Sequence, residues 1–155
     1  MPYLLTFRTY GTHLPGNPQG TNQRNNRYLP ASPALENHVK QTMRQPGQHL
    51  TRVDAELVLQ AIQEVAQSRH WELIAAHVRT THVHLIADDF ANPIRAIAGF
   101  KAYATQALRR RHQDPTRLYW ARGGDIRRLG TTEALRAAIH YVVNRQGEPM
   151  AVYRK

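Results

Sequence analysis

Alternating and helical patterns of apolar residues divide this chain into strands and helices. Tyr3–Thr12 alternates in the manner of a strand, and Trp71–Val78 and His82–Ala87 predict two more strands that form an antiparallel hairpin. Between the first strand and this hairpin, Asp54–Arg69 has the period of an amphipathic helix, which needs a sheet beneath it. The residues of this helix predicted to face the core are Val53, Leu57, Ala61, Ile62 and Val65.

The remaining segments extend this order to a last helix. The predicted elements are a short helix over Leu35–Met43, a long helix over Asn92–His112, a strand or hairpin over Leu118–Leu129, a helix that begins at Thr131 and is ended by Gly147 and Pro149, and a short tail at Val152–Arg154. Strands and helices that interleave around a central hairpin favour an α+β, ferredoxin-like sandwich, with helices packed on one antiparallel sheet. We expect residues 1–155 to form a single domain.

One polar stretch, Leu14–Pro33, follows neither period. It is rich in Pro, Gly, Asn and Gln, and it contains Arg24 and Arg27. Because such a segment is long for an idle connection, we expect a loop that can close over a ligand.

The chain is strongly basic, with 21 Lys and Arg against 11 Asp and Glu and a formal net charge of +10. Most of these cations are Arg, whose planar guanidinium suits paired hydrogen bonds to phosphate. An anionic partner is therefore expected, although a solvated basic surface without a specific partner stays open. The absence of Cys excludes disulfides and cysteine nucleophiles and fits a reducing compartment. With no apolar run near the length that spans a bilayer, we expect a cytoplasmic protein without a membrane partner.

A His-x-His pair in the second strand of the hairpin is the clearest candidate for chemistry. Because His82 and His84 are two residues apart, both imidazoles point to one face of the sheet and can bind a divalent cation if another element supplies a third ligand. Such a pair alone is more often ordinary strand surface. Cations on the following helix and Tyr141 on the last helix change this, because a metal ion, cations and a hydroxyl nucleophile could then meet.

Five segments extend the pattern over most of the chain. They are Tyr3–Arg8, Ala75–Ile86, Phe100–Tyr103, Tyr119–Gly124 and Ala138–Val143. Together they resemble the IS200-like, single-tyrosine branch of the HUH endonucleases, which includes transposase relatives associated with repeated palindromes. The resemblance implies that His82 and His84 are metal ligands and that Tyr141 is the nucleophile.

The resemblance also implies a reaction. The phenolic oxygen attacks a phosphodiester of single-stranded DNA, at hairpin-forming sequences, to give a 5′-phosphotyrosine and a free 3′-hydroxyl, and a second strand end later reverses the step. Tyrosine is a poor nucleophile at its ordinary pKa of about 10, so a bound cation must polarise the phosphate. Mg²⁺ or Mn²⁺ is the expected cofactor.

The third metal ligand has two candidates. Relatives place an amide or imidazole about one helical turn beyond the tyrosine, where this chain has Arg145, a cation that cannot bind a metal. Asn144 and Gln146 flank that arginine. We prefer Gln146 because it lies at the helix end before Gly147, where the backbone can turn its amide inward.

Several other residues have both a structural and a functional interpretation. Tyr103 is a rival nucleophile, but its neighbours predict a packed helix face. His77, on the preceding strand, lies beside the strand of His82 and His84 and could hold a metal ligand in place. A structural His with satisfied hydrogen bonds is the commoner case. Asp88 and Asp89 could help to hold a cation, although capping a helix or facing water is commoner. Trp120 is either a stacking platform for an unpaired base or a core residue.

The predicted DNA contacts are cations that follow the strand of His82 and His84 in the sequence. They would form one track that leads a single strand of DNA past the two histidines. They are Lys101, Arg109, Arg110, Arg111, Arg122, Arg127 and Arg128. Two interpretations compete: an active transposase, and a retired transposase that only binds structured single-stranded DNA or RNA. A two-histidine phosphoesterase is disfavoured because the chain lacks a second His-x-Thr/Ser element. The family contains monomers and homodimers, and either fits this sequence.

Overall fold

Strands and helices alternate along the chain in the computed structural model, which describes residues 1–22 and 28–155. The elements are β1 Tyr3–Arg8, β2 Thr21–Asn22, β3 Tyr28–Leu29, α1 Pro33–Thr42, α2 Arg52–Ser68, β4 Glu72–Val78, β5 His82–Asp88, α3 Pro93–His112, β6 Asp125–Arg128, α4 Thr132–Asn144 and β7 Ala151–Arg154. Arg24 and Arg27, within the stretch predicted to close over a ligand, lie outside the described residues. None of the helices in the described ranges is long and apolar enough to cross a membrane.

Five of the strands form one antiparallel sheet in the order β6-β1-β5-β4-β7. The strand that carries the His-x-His pair, β5, lies at the centre between β1 and β4. Omitting the edge strand β7, this order is that of a ferredoxin-like sandwich. The predicted α+β architecture is confirmed.

Helices cover both faces of the sheet. On one face, α2 and α3 enclose the larger core, whose fully buried residues include Phe7, Ile62, Val83 and Phe100. On the other face, α4 packs Ala138 and Val142 against Leu4, Ala75 and Ile86. Each of the three inner strands therefore contributes alternate residues to two separate apolar layers.

Capping residues set where the main helices begin. Thr51 accepts a hydrogen bond from the backbone N–H of Asp54, and the Asp54 carboxylate accepts one from the Thr51 N–H. This capping box starts α2 two residues before the predicted Asp54. Asn92 and Pro93 open α3 as expected, and Thr131 caps α4.

The buried face of α2 differs from the predicted one. Val53 is 50% exposed and Leu57 is partly exposed, whereas Ala55, Val58 and Leu59 are buried. The buried face is displaced from the predicted one and wider than it, because α2 packs against α3 as well as against the sheet. Val53 and Leu57 instead line an open groove at the edge of the α2–α3 contact.

Two predictions near the C-terminal part of the chain were wrong in detail. Val152–Arg154 is not a tail but most of β7, which pairs with β4 at the edge of the sheet. A four-residue strand is too short for alternation to be visible in the sequence. Within Leu118–Leu129 only Asp125–Arg128 forms a regular strand. The preceding residues form a loop that follows the end of β1, with a bridge between Thr9 and Trp120 and a hydrogen bond from the Ala121 N–H to the Arg8 carbonyl.

Candidate metal and nucleophile site

The histidines of β5 belong to a cross-strand row on the face of the sheet that α4 covers. His84 lies opposite Thr6 of β1 on one side and opposite His77 of β4 on the other. Ile86, two residues further along β5, packs under α4. Since alternate residues of a strand share a face, His82 and His84 point towards α4, as the sequence spacing predicts.

His84 is held by Thr6. The Thr6 hydroxyl lies 2.8 Å from Nδ1 of His84, and both side chains are buried. Burial, assisted by the neighbouring His82, lowers the pKa of His84 to about 3. The ring is therefore neutral at pH 7. When Nδ1–H donates to the Thr6 hydroxyl, Nε2 keeps its lone pair for a ligand bond.

His82 faces both His84 and the end of α4. The two imidazole rings lie edge to face with centroids 4.8 Å apart. Nε2 of His82 is 3.4 Å from Oε1 of Gln146, and Nδ1 is 3.3 Å from the hydroxyl of Thr81. Burial lowers the pKa of His82, while the contact with Gln146 acts in the opposite direction.

Gln146 reaches the histidines because the chain turns after α4. The helix ends at Asn144, and Gly147 adopts a left-handed backbone with φ of +77°, a conformation that favours glycine. The Gln146 side chain is buried, and its Nε2 donates to the carbonyl of Tyr141 at 3.3 Å. The Asn144 amide instead lies 3.2 Å from Nδ1 of His140 on the exposed side of the helix. Of the two candidate third ligands, Gln146 is the one that lies against His82.

Tyr141 stands beside the same histidines. Its ring centroid is 5.5 Å from that of His84, and 43% of the residue is exposed to solvent. A nucleophile needs this combination, because the ring is fixed against the site while substrate can approach.

His77 secures the helix that carries Tyr141. Its Nδ1 lies 3.1 Å from the carbonyl of Val142, and its Nε2 accepts the backbone N–H of Met150 at 3.1 Å. Burial lowers the pKa of His77, which favours the neutral ring with Nδ1–H as donor. With both nitrogens occupied, His77 is a structural clamp rather than a ligand.

The site has the donor set of a mixed nitrogen and oxygen metal centre. No group of three His, Cys, Asp or Glu that could hold a metal occurs within residues 1–22 and 28–155, so the third ligand of a metal held by His82 and His84 would have to be an amide such as Gln146. The separation of 3.4 Å between Nε2 of His82 and Oε1 of Gln146 is long for a hydrogen bond. It suits two ligands of one cation, each at about 2.1 Å from it. The residues present therefore fit a divalent ion.

Two arginines that were not among the predicted site residues lie on either side of His82. Arg8 lies directly opposite His82 on β1, and Arg79 donates its backbone N–H to the carbonyl of His82 at 2.9 Å from the other side. Both cations contribute to lowering the pKa values of His82 and His84. The available signal was alternation, because Arg8 follows Thr6 by two residues and Arg79 follows His77 by two.

The predicted DNA contacts do not form one track. The Lys101 ammonium donates to the carbonyls of Ala121 and Gly123, and Arg111 pairs with the buried carboxylate of Asp54 at 3.0 Å. These two cations therefore hold the protein together.

The remaining predicted contacts are divided between the two faces. Arg109 and Arg110 end α3, in the layer on the far side of the sheet, and Arg122 lies on the exposed loop before β6. On β6, Arg127 pairs with Leu4 and shares the face of His84, whereas Arg128 pairs with Tyr3 and points the other way.

Four further candidate residues lie away from the histidines. Tyr103 packs against the core on α3 under the guanidinium of Arg69. Trp120 meets Phe7 edge to face and donates its Nε1–H to Thr105, which makes it part of the core. Asp88 and Asp89 lie at the opposite end of β5 from His82.

The fold and the site together define an α+β sandwich in which a central His-x-His strand faces a tyrosine on a covering helix. A solved structure of a REP-associated tyrosine transposase bound to a REP hairpin has a similar fold, with a TM-score of 0.51 and 15% sequence identity. The match covers 91% of this chain and 63% of that chain, so this chain spans less than two thirds of its neighbour's length. No family model and no curated protein matches the sequence.

Proposed function

We propose that the protein is a metal-dependent single-stranded DNA endonuclease and strand transferase of the transposase type. The observation that carries the proposal is the meeting of Tyr141 and Gln146 with His82 and His84 on one face of the sheet. These residues come from two segments that are far apart in the sequence. A phenol beside two neutral imidazoles and an amide is a suitable arrangement for metal-assisted phosphoryl transfer.

His82, His84 and Gln146 are the residues that would hold a divalent cation, Mg²⁺ or Mn²⁺. Two imidazole ligands favour Mn²⁺ in affinity, and cellular abundance favours Mg²⁺. When bound, the ion would polarise the scissile phosphate and stabilise the charge that develops on it. Thr6 orients the His84 ring for this role through its hydrogen bond to Nδ1.

The side chain of Tyr141 supplies the nucleophile. Its exposed phenolic oxygen gives its proton to solvent and forms a bond to the phosphorus, while the bond from phosphorus to the 3′-oxygen of the preceding nucleotide breaks. That oxygen takes up a proton and leaves as a free 3′-hydroxyl. The 5′-phosphotyrosine conserves the bond, so a second 3′-hydroxyl can reverse the step and join strands.

Hairpin-forming DNA is the proposed substrate. The solved transposase of similar fold is bound to a REP hairpin, which supports DNA of this kind as the partner. The burial of His84 also favours an unpaired strand at the scissile bond, because a flexible single strand can approach a buried side chain more closely than a duplex.

The test is covalent trapping. The protein is incubated with labelled oligonucleotides that contain a hairpin and a single-stranded flank, with Mn²⁺, and a protein–DNA adduct is resolved by denaturing electrophoresis. We expect an adduct that a chelator prevents and that Tyr141→Phe abolishes. Tyr103→Phe is the matched control, since that tyrosine packs on the opposite side of the sheet, and it should retain the adduct.

An adduct that is undiminished in Tyr141→Phe would refute the assignment. A second outcome, hairpin binding without metal-dependent adduct, would select the retired transposase that only binds nucleic acid. The observation behind that alternative is the lack of an acidic or third imidazole ligand in the site within the described part of the chain.

A further inference from the structure

Two parallel rows of side chains cross the three inner strands on the face that α4 covers. One row contains Thr6, His84 and His77, in which the Thr6 hydroxyl bonds Nδ1 of His84 and both ring nitrogens of His77 have hydrogen-bond partners. The next row contains Arg8, His82 and Arg79, one residue from each of β1, β5 and the end of β4. The histidine of the second row therefore has an arginine on the neighbouring strand on either side.

The positions of both arginines are fixed by backbone contacts. Arg8 is the last residue of β1 and lies opposite His82 in the strand register. Arg79 follows β4, and a Cβ at position 147 would lie only 3.3 Å from its Nη1. The Arg79 guanidinium thus lies against the turn that carries Gln146, and Gly147 leaves room for it. With neighbouring strands about 4.8 Å apart, the two arginine Cα atoms are about 10 Å apart.

The positive charges of Arg8 and Arg79 have no counter-charge among the described residues. Neither Arg8 nor Arg79 forms an ion pair with a carboxylate of residues 1–22 or 28–155. Both are only partly exposed, and both lie beside His82 in the strand register. Two such cations beside a metal-binding pair are unfavourable unless a polyanion accompanies the metal.

We infer that Arg8 and Arg79 bind the phosphates on either side of the scissile one, so that the single strand runs across β1, β5 and β4 at the level of His82. This inference rests on the proposed function and adds the path of the substrate to it. A guanidinium can hold one phosphate through two parallel hydrogen bonds. Anchors on both flanks would fix the middle phosphate over the histidines, within reach of Tyr141.

The test is DNA binding without metal, which separates the inference from catalysis. A labelled single-stranded oligonucleotide of mixed sequence, about 16 nucleotides long, is titrated in the presence of a chelator at several salt concentrations. We expect Arg8→Gln and Arg79→Gln each to weaken binding by about tenfold. Each should also reduce the slope of log affinity against log salt by roughly 0.7, the value for one single-strand phosphate contact.

Arg95→Gln is the matched control. Arg95 is an exposed arginine in the first turn of α3, at the far end of β5 and on the opposite face, and its loss should leave affinity and slope close to those of the wild type. Arg8→Lys and Arg79→Lys should restore most of the salt slope but only part of the affinity, because lysine keeps the charge without the paired bonds. Unchanged thermal unfolding would show that the variants fold.

Two results would overturn the inference: glutamine variants that bind like Arg95→Gln, or a wild-type protein whose binding is independent of salt. The outcome is distinguishable from failure of the proposed function. If the wild-type protein forms no Tyr141-dependent adduct but Arg8 and Arg79 are still required for DNA binding, the proposed nuclease activity is refuted. The inferred path of the single strand is then retained.

Discussion

The hydroxyl of Thr6 determines what His84 can do. A buried imidazole that has one nitrogen bonded to a neighbour offers the other in a fixed direction, and the low pKa of about 3 keeps that nitrogen unprotonated at any physiological pH. His82 is oriented less firmly, by contacts of 3.3 and 3.4 Å to Thr81 and Gln146. His84 is therefore the better organised half of the pair.

Thr6→Val tests this orientation with a change that conserves shape. Valine fills the same space without a hydrogen bond to Nδ1, so the ring can rotate or take the other tautomer. We expect Mn²⁺ affinity, measured by titration calorimetry, to fall by about 10- to 100-fold.

Thr105→Val serves as the control for this experiment, because the Thr105 hydroxyl accepts the Trp120 Nε1–H on the other side of the sheet. It should cost some stability and leave Mn²⁺ affinity unchanged. Equal Mn²⁺ affinity in Thr6→Val and the wild type would show that the Thr6 hydroxyl does not orient His84 for metal binding.

At the scale of elements, the position of α4 depends on a histidine from a strand beneath it. His77 joins three elements: it lies on β4, bonds the carbonyl of Val142 near the end of α4, and accepts the N–H of Met150 just before β7. The carbonyl of Val142 is one of the last-turn acceptors that a helix cannot satisfy by itself. His77 thereby fixes the turn on which Gln146 approaches His82.

His77→Ala should destabilise the protein by about 3–5 kcal/mol, since it leaves a cavity and deprives the buried Val142 carbonyl and the half-buried Met150 N–H of their partner. The free energy of unfolding is measured by urea denaturation. His38→Ala, which truncates an exposed histidine on α1, should stay within about 0.5 kcal/mol of the wild type. A loss below about 1 kcal/mol for His77→Ala would mean that α4 is held by its apolar contacts alone.

The elements differ in how far the sequence could predict them. Strong caps such as Asn92 with Pro93, and clear alternation around His82, predict α3 and β5 almost to the residue. The edge strand β7 was not predicted, because its four residues take their conformation from pairing with β4 rather than from local preference. The inward turn of Gln146 could be expected from Gly147. Alternation shows only the face on which Arg8 and Arg79 lie, whereas their positions on either side of His82 depend on strand order.

Across the whole molecule, the sheet separates two sets of positive charge. Arg8, Arg79 and Arg127 lie on the histidine side, while Arg109 and Arg110 end α3 on the other. A linear sequence shows only that cations are abundant after β5. Because a helix with its side chains is about 10 Å across and the Debye length is about 8 Å at physiological salt, charges on the far side of α3 act weakly at the histidines.

A double variant on α3 tests whether the positive charges on the two sides of the sheet act separately. The double variant Arg109→Gln with Arg110→Gln removes two charges from the C-terminal turn of α3, where cations interact favourably with the helix dipole. We expect a loss of about 0.5–1 kcal/mol in the free energy of unfolding, with single-strand affinity within about twofold of the wild type because screening is nearly complete at that distance. Fluorescence anisotropy at physiological salt measures the affinity. A tenfold loss of affinity in this variant would place the DNA on the α2–α3 side and would return the arginines of α3 to the binding surface.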